Sequence, residues 1–153
     1  MSLGKLALRL TLGSLFIGHG TQKLFGWFGG GGLDGTAEFF EESLDLQPGK
    51  PQAVAGGAGE VVGGALLVLG ALTPVATTLV TGSMVAAIRK VHGPNGPWIT
   101  EQGWEYNAVI IAAVASLNDS SLLAAAAVGA GVAGSYLTTE TVPEIVADPA
   151  PDD

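Results

Sequence analysis

Long stretches of this chain carry almost no charge, and most of the charged residues fall between them. Residues 53–74 contain a single ionisable side chain, Glu60, and residues 74–88 contain none. Apolar runs of about 15–22 residues separated by polar loops are typical of membrane-spanning helices, in which the backbone satisfies its own hydrogen bonds. The pattern predicts four spanning helices, at Leu3–Phe25, Ala53–Leu72, Pro74–His92 and Trp104–Leu117.

A soluble helical bundle is the alternative to a membrane protein. The second and third apolar segments lack the polar stripe that a surface helix needs, and this disfavours a soluble bundle. The first helix is the weakest span, because Lys5, Arg9 and Lys23 flank a short apolar centre. We expect their long side chains to carry the charges to the membrane interfaces. Arg9 also interrupts the apolar run that a cleaved signal peptide would require.

The end of the chain adds a further apolar segment. The polar residues 118–121 can end the fourth helix and cap a fifth helix at Leu122–Leu137. Residues 138–153 are acidic and contain three prolines, so we expect a disordered tail. The predicted fold is therefore all-α: an integral membrane four-helix bundle over residues 3–118, an additional C-terminal helix over 119–137, and the tail.

The linker after the first helix has helical periodicity of its own. Leu33, Ala37, Phe40 and Leu44 share one face, and acidic residues occupy the other. This pattern favours a short helix that lies on the membrane surface. A solvated acidic loop is the alternative.

Glu60 is the most informative polar residue. Gly56, Glu60 and Gly64 recur at every fourth position of the second helix, and Gly59 and Gly63 form a second pair beside them. Small residues let a neighbouring helix approach closely, so Glu60 is expected to face protein. A charged group inside a bilayer costs about 3 kcal/mol, which makes Glu60 a candidate functional residue. A structural hydrogen bond to another helix is the alternative.

His19 is expected to lie level with Glu60, because each lies the same distance from the shared end of two antiparallel helices. Both are the candidate catalytic residues, since carboxyl and imidazole groups can exchange protons. Other polar residues should converge on this end and bind substrate: Gln22, Lys23, Arg89, His92, Glu105 and Asn107. Anchoring at the membrane interface is the alternative for these residues.

Composition narrows the chemistry. The net charge of −8 argues against nucleic acid as a partner, because phosphate binding needs a basic surface. The chain has no cysteine, which excludes disulfides and thiolate ligands within it. His19, His92 and Glu60 could supply metal ligands, but no His-Glu-x-x-His or Glu-x-x-His spacing occurs, and no metal site is predicted. More basic residues lie near the His19 end of the helices than near the opposite end, which favours a cytoplasmic location for the His19 end.

The motifs resemble those of the DoxX family of membrane proteins. The run from His19 to Gly30, His-Gly-Thr-Gln-Lys-Leu-Phe-Gly-Trp-Phe-Gly-Gly, is similar to the start of that family. Leu72-Thr73-Pro74, Val91-His92-Gly93 and Glu105-Tyr106-Asn107 continue the resemblance, which covers about residues 3–118. It implies a small multi-pass protein of the cell membrane.

The resemblance also implies a function. The family is named for a subunit associated with a terminal quinol oxidase, and relatives are linked to thiosulfate:quinone oxidoreductase. It therefore implies an accessory redox subunit with a quinone as candidate cofactor and a membrane or peripheral redox protein as partner. A quinone headgroup or a sulfur oxyanion would bind in the polar pocket, with Lys23 and Arg89 holding an anion. A non-enzymatic membrane scaffold and a small-molecule transporter are the alternatives.

Overall fold

The computed structural model describes residues 1–141, and residues 142–153, most of the predicted tail, lie outside the described range. The described range is helical with no strand, which confirms the all-α prediction for this part of the chain. It contains six α-helices: α1 (Leu3–Phe25), α2 (Gly32–Leu44), α3 (Gly49–Leu69), α4 (Thr73–Ala87), α5 (Glu105–Ser116) and α6 (Ser121–Tyr136). Single π-helical turns extend α4 through Ile88–His92 and α6 through Leu137–Thr141.

The helix boundaries follow local signals. α1 has the predicted bounds, and Gly26, at φ 71°, ends it. α3 begins at Gly49, directly after Pro48, and ends where Gly70 takes a left-handed conformation at φ 67°. It therefore lies a few residues earlier than the predicted Ala53–Leu72. Pro74 stands in the first turn of α4, where its missing N–H costs no helical hydrogen bond.

Glycines let α1 and α3 pack antiparallel at very short range. A Cβ added to Gly64 would lie 2.6 Å from the carbonyl oxygen of Gly13, and one added to Gly20 would lie 2.5 Å from that of Gly57. Each helix thus presents a pair of glycines, two turns apart, to the other. Such a contact holds the two backbones close enough for flanking side chains to reach across.

The extra C-terminal segment belongs to the bundle. Ser120 caps α6 by accepting a hydrogen bond from the Leu123 backbone N–H. α6 then runs parallel to α4, with the Thr78 hydroxyl donating to the Ala127 carbonyl at 3.1 Å and a Cβ on Gly131 reaching 2.6 Å from the Thr78 carbonyl. Within residues 1–141 the bundle therefore has five long helices, because the additional C-terminal helix packs against α4 and α5.

The core lies between α1, α3, α4 and α5. Six apolar side chains are buried together there: Phe16, Leu67, Ala76, Val80, Val114 and Leu117. Because α4 contacts α3, α5 and α6, it forms the centre of the bundle. α1, α4 and α6 run in one direction, and α3 and α5 run in the other.

The linker segment is helical, as the periodicity favoured. α2 buries Thr36 and Ala37 against α1 and α3, while Glu38 and Glu42 are exposed. The Glu41 carboxylate accepts a hydrogen bond of 2.6 Å from the Gly49 backbone N–H at the start of α3. This contact fixes α2 across one end of the bundle.

Arg9 reaches the helix ends opposite α2, where it is buried rather than exposed. The residue is 7% exposed, because the start of α4 and the end of α5 pack around it. Its Nη2 donates to the Thr73 hydroxyl at 2.8 Å and to the Leu117 carbonyl at 3.4 Å. Arg9 therefore joins three helices at the end opposite α2.

In the described part of the chain, two helices are long and apolar enough to cross a membrane, Gly49–Leu69 and Ser121–Glu140. α5 is apolar but shorter. α1 contains Lys5, Arg9 and Lys23, and the α4 segment ends in Arg89 and Lys90, which lowers the mean hydropathy of both.

Alanine substitution should separate glycines that serve packing from those that do not. We expect Gly64→Ala to lower the stability of the folded protein by about 1–3 kcal/mol, because its Cβ would collide with α1 backbone. Gly18→Ala, where a Cβ meets nothing within 4 Å, should instead raise stability by about 1 kcal/mol through helix propensity. Thermal unfolding in detergent measures both, and equal effects would contradict the packing described.

Candidate functional site

Glu60 forms the centre of a polar contact between three helices. Its side chain is 6% exposed, and both carboxylate oxygens have partners. Oε2 lies 2.7 Å from the Lys23 ammonium of α1, and Oε1 accepts a 2.8 Å hydrogen bond from the Ser83 hydroxyl of α4. A carboxylate in such an apolar region is tolerated because a cation and a hydroxyl replace its lost water.

A cavity of about 500 Å³ opens beside this contact. Residues of all six helices line it, and the lining is mostly apolar. Glu60, Ser83 and Lys23 provide the polar part of the wall near the centre. Phe16 and Leu12 of α1 and Phe40 of α2 provide part of the apolar wall. The site is therefore a largely apolar cavity whose wall contains the Lys23–Glu60 pair and a second lysine, Lys90.

His19 lines the same cavity but does not hydrogen-bond Glu60 in the described structure. Its Nδ1 lies 3.1 Å from the Gln22 side-chain oxygen, and its side chain is exposed. Lys23, one turn further along α1, makes the contact with Glu60 instead. A catalytic role for His19 and Glu60 stays a prediction.

Two other predicted binding residues also line the cavity. His92 Nδ1 donates to the Gln102 carbonyl at 2.7 Å, because a carbonyl oxygen can only accept. This hydrogen bond leaves Nε2 as the acceptor of the neutral ring. The Asn107 amide lies 3.4 Å from the Met84 sulfur and is buried in the cavity wall.

Arg89 does not line the cavity, because it holds the end of α6. Its guanidinium donates to the Ser135 carbonyl and the Thr139 hydroxyl and pairs with Glu140. It also lies 3.5 Å from the centre of the Tyr136 ring, a cation–π contact. All four partners belong to α6 and its π-helical turn, which the sequence placed outside the core bundle.

Gln22 and Glu105 are also not part of the cavity lining. Gln22 contacts His19 and the Phe28 carbonyl near the end of α1. The Glu105 carboxylate accepts a 2.7 Å hydrogen bond from the Ile99 backbone N–H. This hydrogen bond closes the loop before α5, and this local contact accounts for the position of the Glu105 side chain.

Sequence reasoning missed Ser83 and Gln52. Ser83 is the second partner of Glu60, and its only signal is a hydroxyl in an apolar helix. Gln52 is buried at the start of α3, where its amide donates to the Thr138 carbonyl at 2.6 Å. This hydrogen bond connects α3 to the end of α6 at the rim of the cavity. Among residues 1–141, no cluster of three or more histidine and carboxylate side chains is placed to hold a metal ion.

Comparison with known proteins supports the resemblance found in the motifs. The family model described as DoxX matches residues 4–93, which is more than half of the chain. The match covers α1 to the π-helical turn after α4, whereas α5 and α6 lie outside it. No curated protein and no solved structure matches the chain.

The Lys23–Glu60 pair should show strong coupling. Lys23→Met leaves a buried carboxylate without its cation, so we expect a loss of about 3 kcal/mol in the free energy of unfolding. Adding Glu60→Gln should recover most of that loss, because no unpaired charge remains. Denaturant unfolding of the two single variants and the double variant measures the coupling. Additive losses would contradict a direct pair.

Arg89 should control the order of the α6 end. In Arg89→Gln we expect backbone amides of residues 136–141 to exchange hydrogen about tenfold faster, because four contacts are lost. Lys90→Gln is the matched control, since it removes the same charge one position away. Equal exchange in the two variants would show that charge alone, and not these contacts, orders the segment.

Proposed function

This chain belongs to the DoxX family of membrane proteins, and we propose that it is a multi-pass cell-membrane protein that binds a quinone-type headgroup. In this role it is an accessory subunit of a quinone-linked oxidoreductase, with a membrane or peripheral redox protein as its partner. The observation that carries the proposal is the Lys23–Glu60–Ser83 contact in the wall of a mostly apolar cavity.

The helix arrangement supports a membrane-spanning role. Five helices alternate in direction, and two of them are apolar enough to span by themselves. Three exposed tryptophans, Trp27, Trp98 and Trp104, lie at the α2 end, together with Tyr106 and Tyr136. Tryptophan and tyrosine concentrate where membrane meets water. We therefore place this end at the interface, with α2 along the membrane surface, and we propose the cytoplasmic side for it.

The cavity fits a quinone headgroup. Its volume of about 500 Å³ lies within the range of small-molecule sites, and its apolar lining suits an aromatic ring. A quinone carries carbonyl oxygens, which need donors. The Lys23 ammonium has three N–H groups, and Glu60 needs only one of them at 2.7 Å. Lys23 can thus donate to a carbonyl while Glu60 keeps it in position.

The charge balance at the Lys23–Glu60 pair favours an uncharged ligand there over a sulfur oxyanion. Lys23 is paired with Glu60, so an anion would have to compete with a carboxylate for this cation. Lys90 also lines the cavity and forms no ion pair within residues 1–141, but it lies outside the Lys23–Glu60–Ser83 contact. A neutral carbonyl only needs an N–H that the pair leaves available. When bound, a quinone supplies electron and proton transfer, and His19 at the cavity wall is the residue proposed to exchange the proton.

Membrane integration can be tested by extraction. We expect the protein to stay in the pellet when membranes are washed with alkaline carbonate and to dissolve only in detergent, because five helices would be embedded in lipid. Fractionation followed by immunoblotting measures this. Recovery in the aqueous fraction would refute the multi-pass proposal.

Ligand binding tests the cavity. In lipid nanodiscs, wild-type protein should bind a benzoquinone saturably, and Lys23→Met/Glu60→Gln should bind about tenfold more weakly, because a donor worth about 1.4 kcal/mol is lost. Lys5→Met removes the same charge from the other end of α1 and should bind like wild type. Calorimetry measures all three proteins.

Binding of thiosulfate is measured in the same experiment as the test of the anion alternative. If thiosulfate binds and the benzoquinone does not, the neutral-headgroup proposal fails and the anion alternative replaces it. Equal benzoquinone affinity in wild type and in the double variant would also remove the assignment of Lys23 and Glu60.

A further inference from the structure

The start of α4 lies beside a buried arginine, at the end of the bundle opposite α2. α4 begins at Thr73 without a side-chain cap, and its first turn contains no acidic residue. The first backbone N–H groups of a helix have no partner within the helix and carry a partial positive charge. Such a helix start attracts anions, but it does not by itself make a binding site.

Arg9 adds a full positive charge at the same place. The residue is 7% exposed, and its Nη2 donates to the Thr73 hydroxyl at 2.8 Å, so the guanidinium is directed at the first residue of α4. Its Nε and Nη1 are buried and have no hydrogen-bond acceptor in the described part of the chain. None of the carboxylates there forms an ion pair with it either. Buried charges and donors are normally compensated, so Arg9 favours a negatively charged ligand here.

Lys5 supplies a second cation. It lies one turn before Arg9 on the same face of α1, and like charges at this spacing repel each other. Its ammonium is 3.6 Å from the Asp119 carboxylate, which is too long for a direct hydrogen bond. Asp119 is 97% exposed, and it is the one acidic side chain that residues 1–141 place at this end. Two cationic side chains thus face one solvated carboxylate.

Thr73 connects the buried guanidinium to the surface of the bundle. Thr73 is half-buried, whereas Arg9 is enclosed. Because the Thr73 oxygen accepts from Arg9, its hydroxyl hydrogen stays available, and it has no acceptor among the described residues. A ligand at the start of α4 can therefore accept from this hydroxyl and from backbone N–H groups of the first turn. Arg9 acts as a positioning residue for the hydroxyl and as a source of charge.

Large apolar side chains surround this positive site. Leu69 and Leu72 precede α4, and Leu3 and Leu122 lie in the first turns of α1 and α6. All four are between 66% and 81% exposed. Exposed leucines beside cations suit a ligand that combines acyl chains with an acidic group. This combination favours a phospholipid over a free ion.

We propose that the start of α4 binds the phosphodiester group of an anionic membrane phospholipid. The Thr73 hydroxyl and the N–H groups of the first turn of α4 donate to the phosphate, and Lys5 and Arg9 balance its charge. None of these three residues lines the cavity, so the site is separate from the proposed headgroup site. The inference rests on the membrane integration proposed above and is independent of the ligand in the cavity.

Three substitutions and a control test the site. Lys5→Gln and Arg9→Gln each remove one cation, and Asp119→Asn removes the carboxylate that competes with the phosphate for Lys5. Lys50→Gln is the matched control, because Lys50 is an exposed lysine that pairs with Asp34 at the α2 end. The probes are phosphatidylglycerol, phosphatidylcholine and inorganic phosphate, each titrated into protein in detergent. Native mass spectrometry measures the bound lipid, and thermal unfolding measures stabilisation by each probe.

We expect wild type to bind one phosphatidylglycerol saturably and phosphatidylcholine about tenfold more weakly, because the choline cation offsets the phosphate charge. Lys5→Gln should weaken phosphatidylglycerol binding about threefold, and Asp119→Asn should strengthen it about threefold, as expected for exposed charges. Arg9→Gln should weaken it about tenfold. Lys50→Gln should bind like wild type. If Arg9→Gln does not fold, the opposite shifts in Lys5→Gln and Asp119→Asn still decide the matter.

Three outcomes would overturn the inference. If Lys5→Gln and Asp119→Asn leave the affinity unchanged or shift it in the same direction, the charges at this end do not bind the lipid. If both lipids bind equally, only acyl chains are recognised. If inorganic phosphate stabilises the protein and phosphatidylglycerol does not, the site takes a free ion. None of these results affects the cavity ligand, whereas recovery of the protein in the aqueous fraction would end the membrane proposal and this one together.

Discussion

The ion pair between Lys23 and Glu60 is the interaction on which this structure depends. A carboxylate within an apolar helix is costly unless a cation and hydrogen-bond donors surround it. Lys23 and Ser83 meet this need from α1 and α4, so the single acid of α3 joins three helices at one point. The same point opens onto the cavity, so the group that holds the helices together also provides the polar chemistry of the site.

Glycine makes this geometry possible in two different ways. Between α1 and α3 it lets the two backbones approach closely at Gly13, Gly20, Gly57 and Gly64, so that Lys23 and Glu60 can form a 2.7 Å ion pair. Between α3 and α6 it does the opposite, since Gly59 and Gly134 face open space in the cavity. The high glycine content of the chain thus reflects both close packing and open space in the cavity wall.

Arg9 and Arg89 make structural contacts at opposite ends of the bundle. Arg9 joins α1 to the start of α4 and the end of α5, and Arg89 holds the last turns of α6. Both depend on helices that follow in the chain, so neither role is visible from the neighbouring sequence. With Arg89 used in this way, Lys23 is the cation at the centre of the site, and it is already balanced by Glu60.

The sequence alone determined the all-α class, the limits of α1, the burial of Glu60, the helix start within residues 118–121 and the family, because these depend on composition, helical period and local motifs. It also placed His19 near the level of Glu60. Only the tertiary structure decided that Lys23 reaches Glu60 and that α6 completes the bundle. Helical period fixes a residue's level to within about one turn, and a long side chain can span that turn. Which partner it finds therefore depends on how segments distant in the chain pack together.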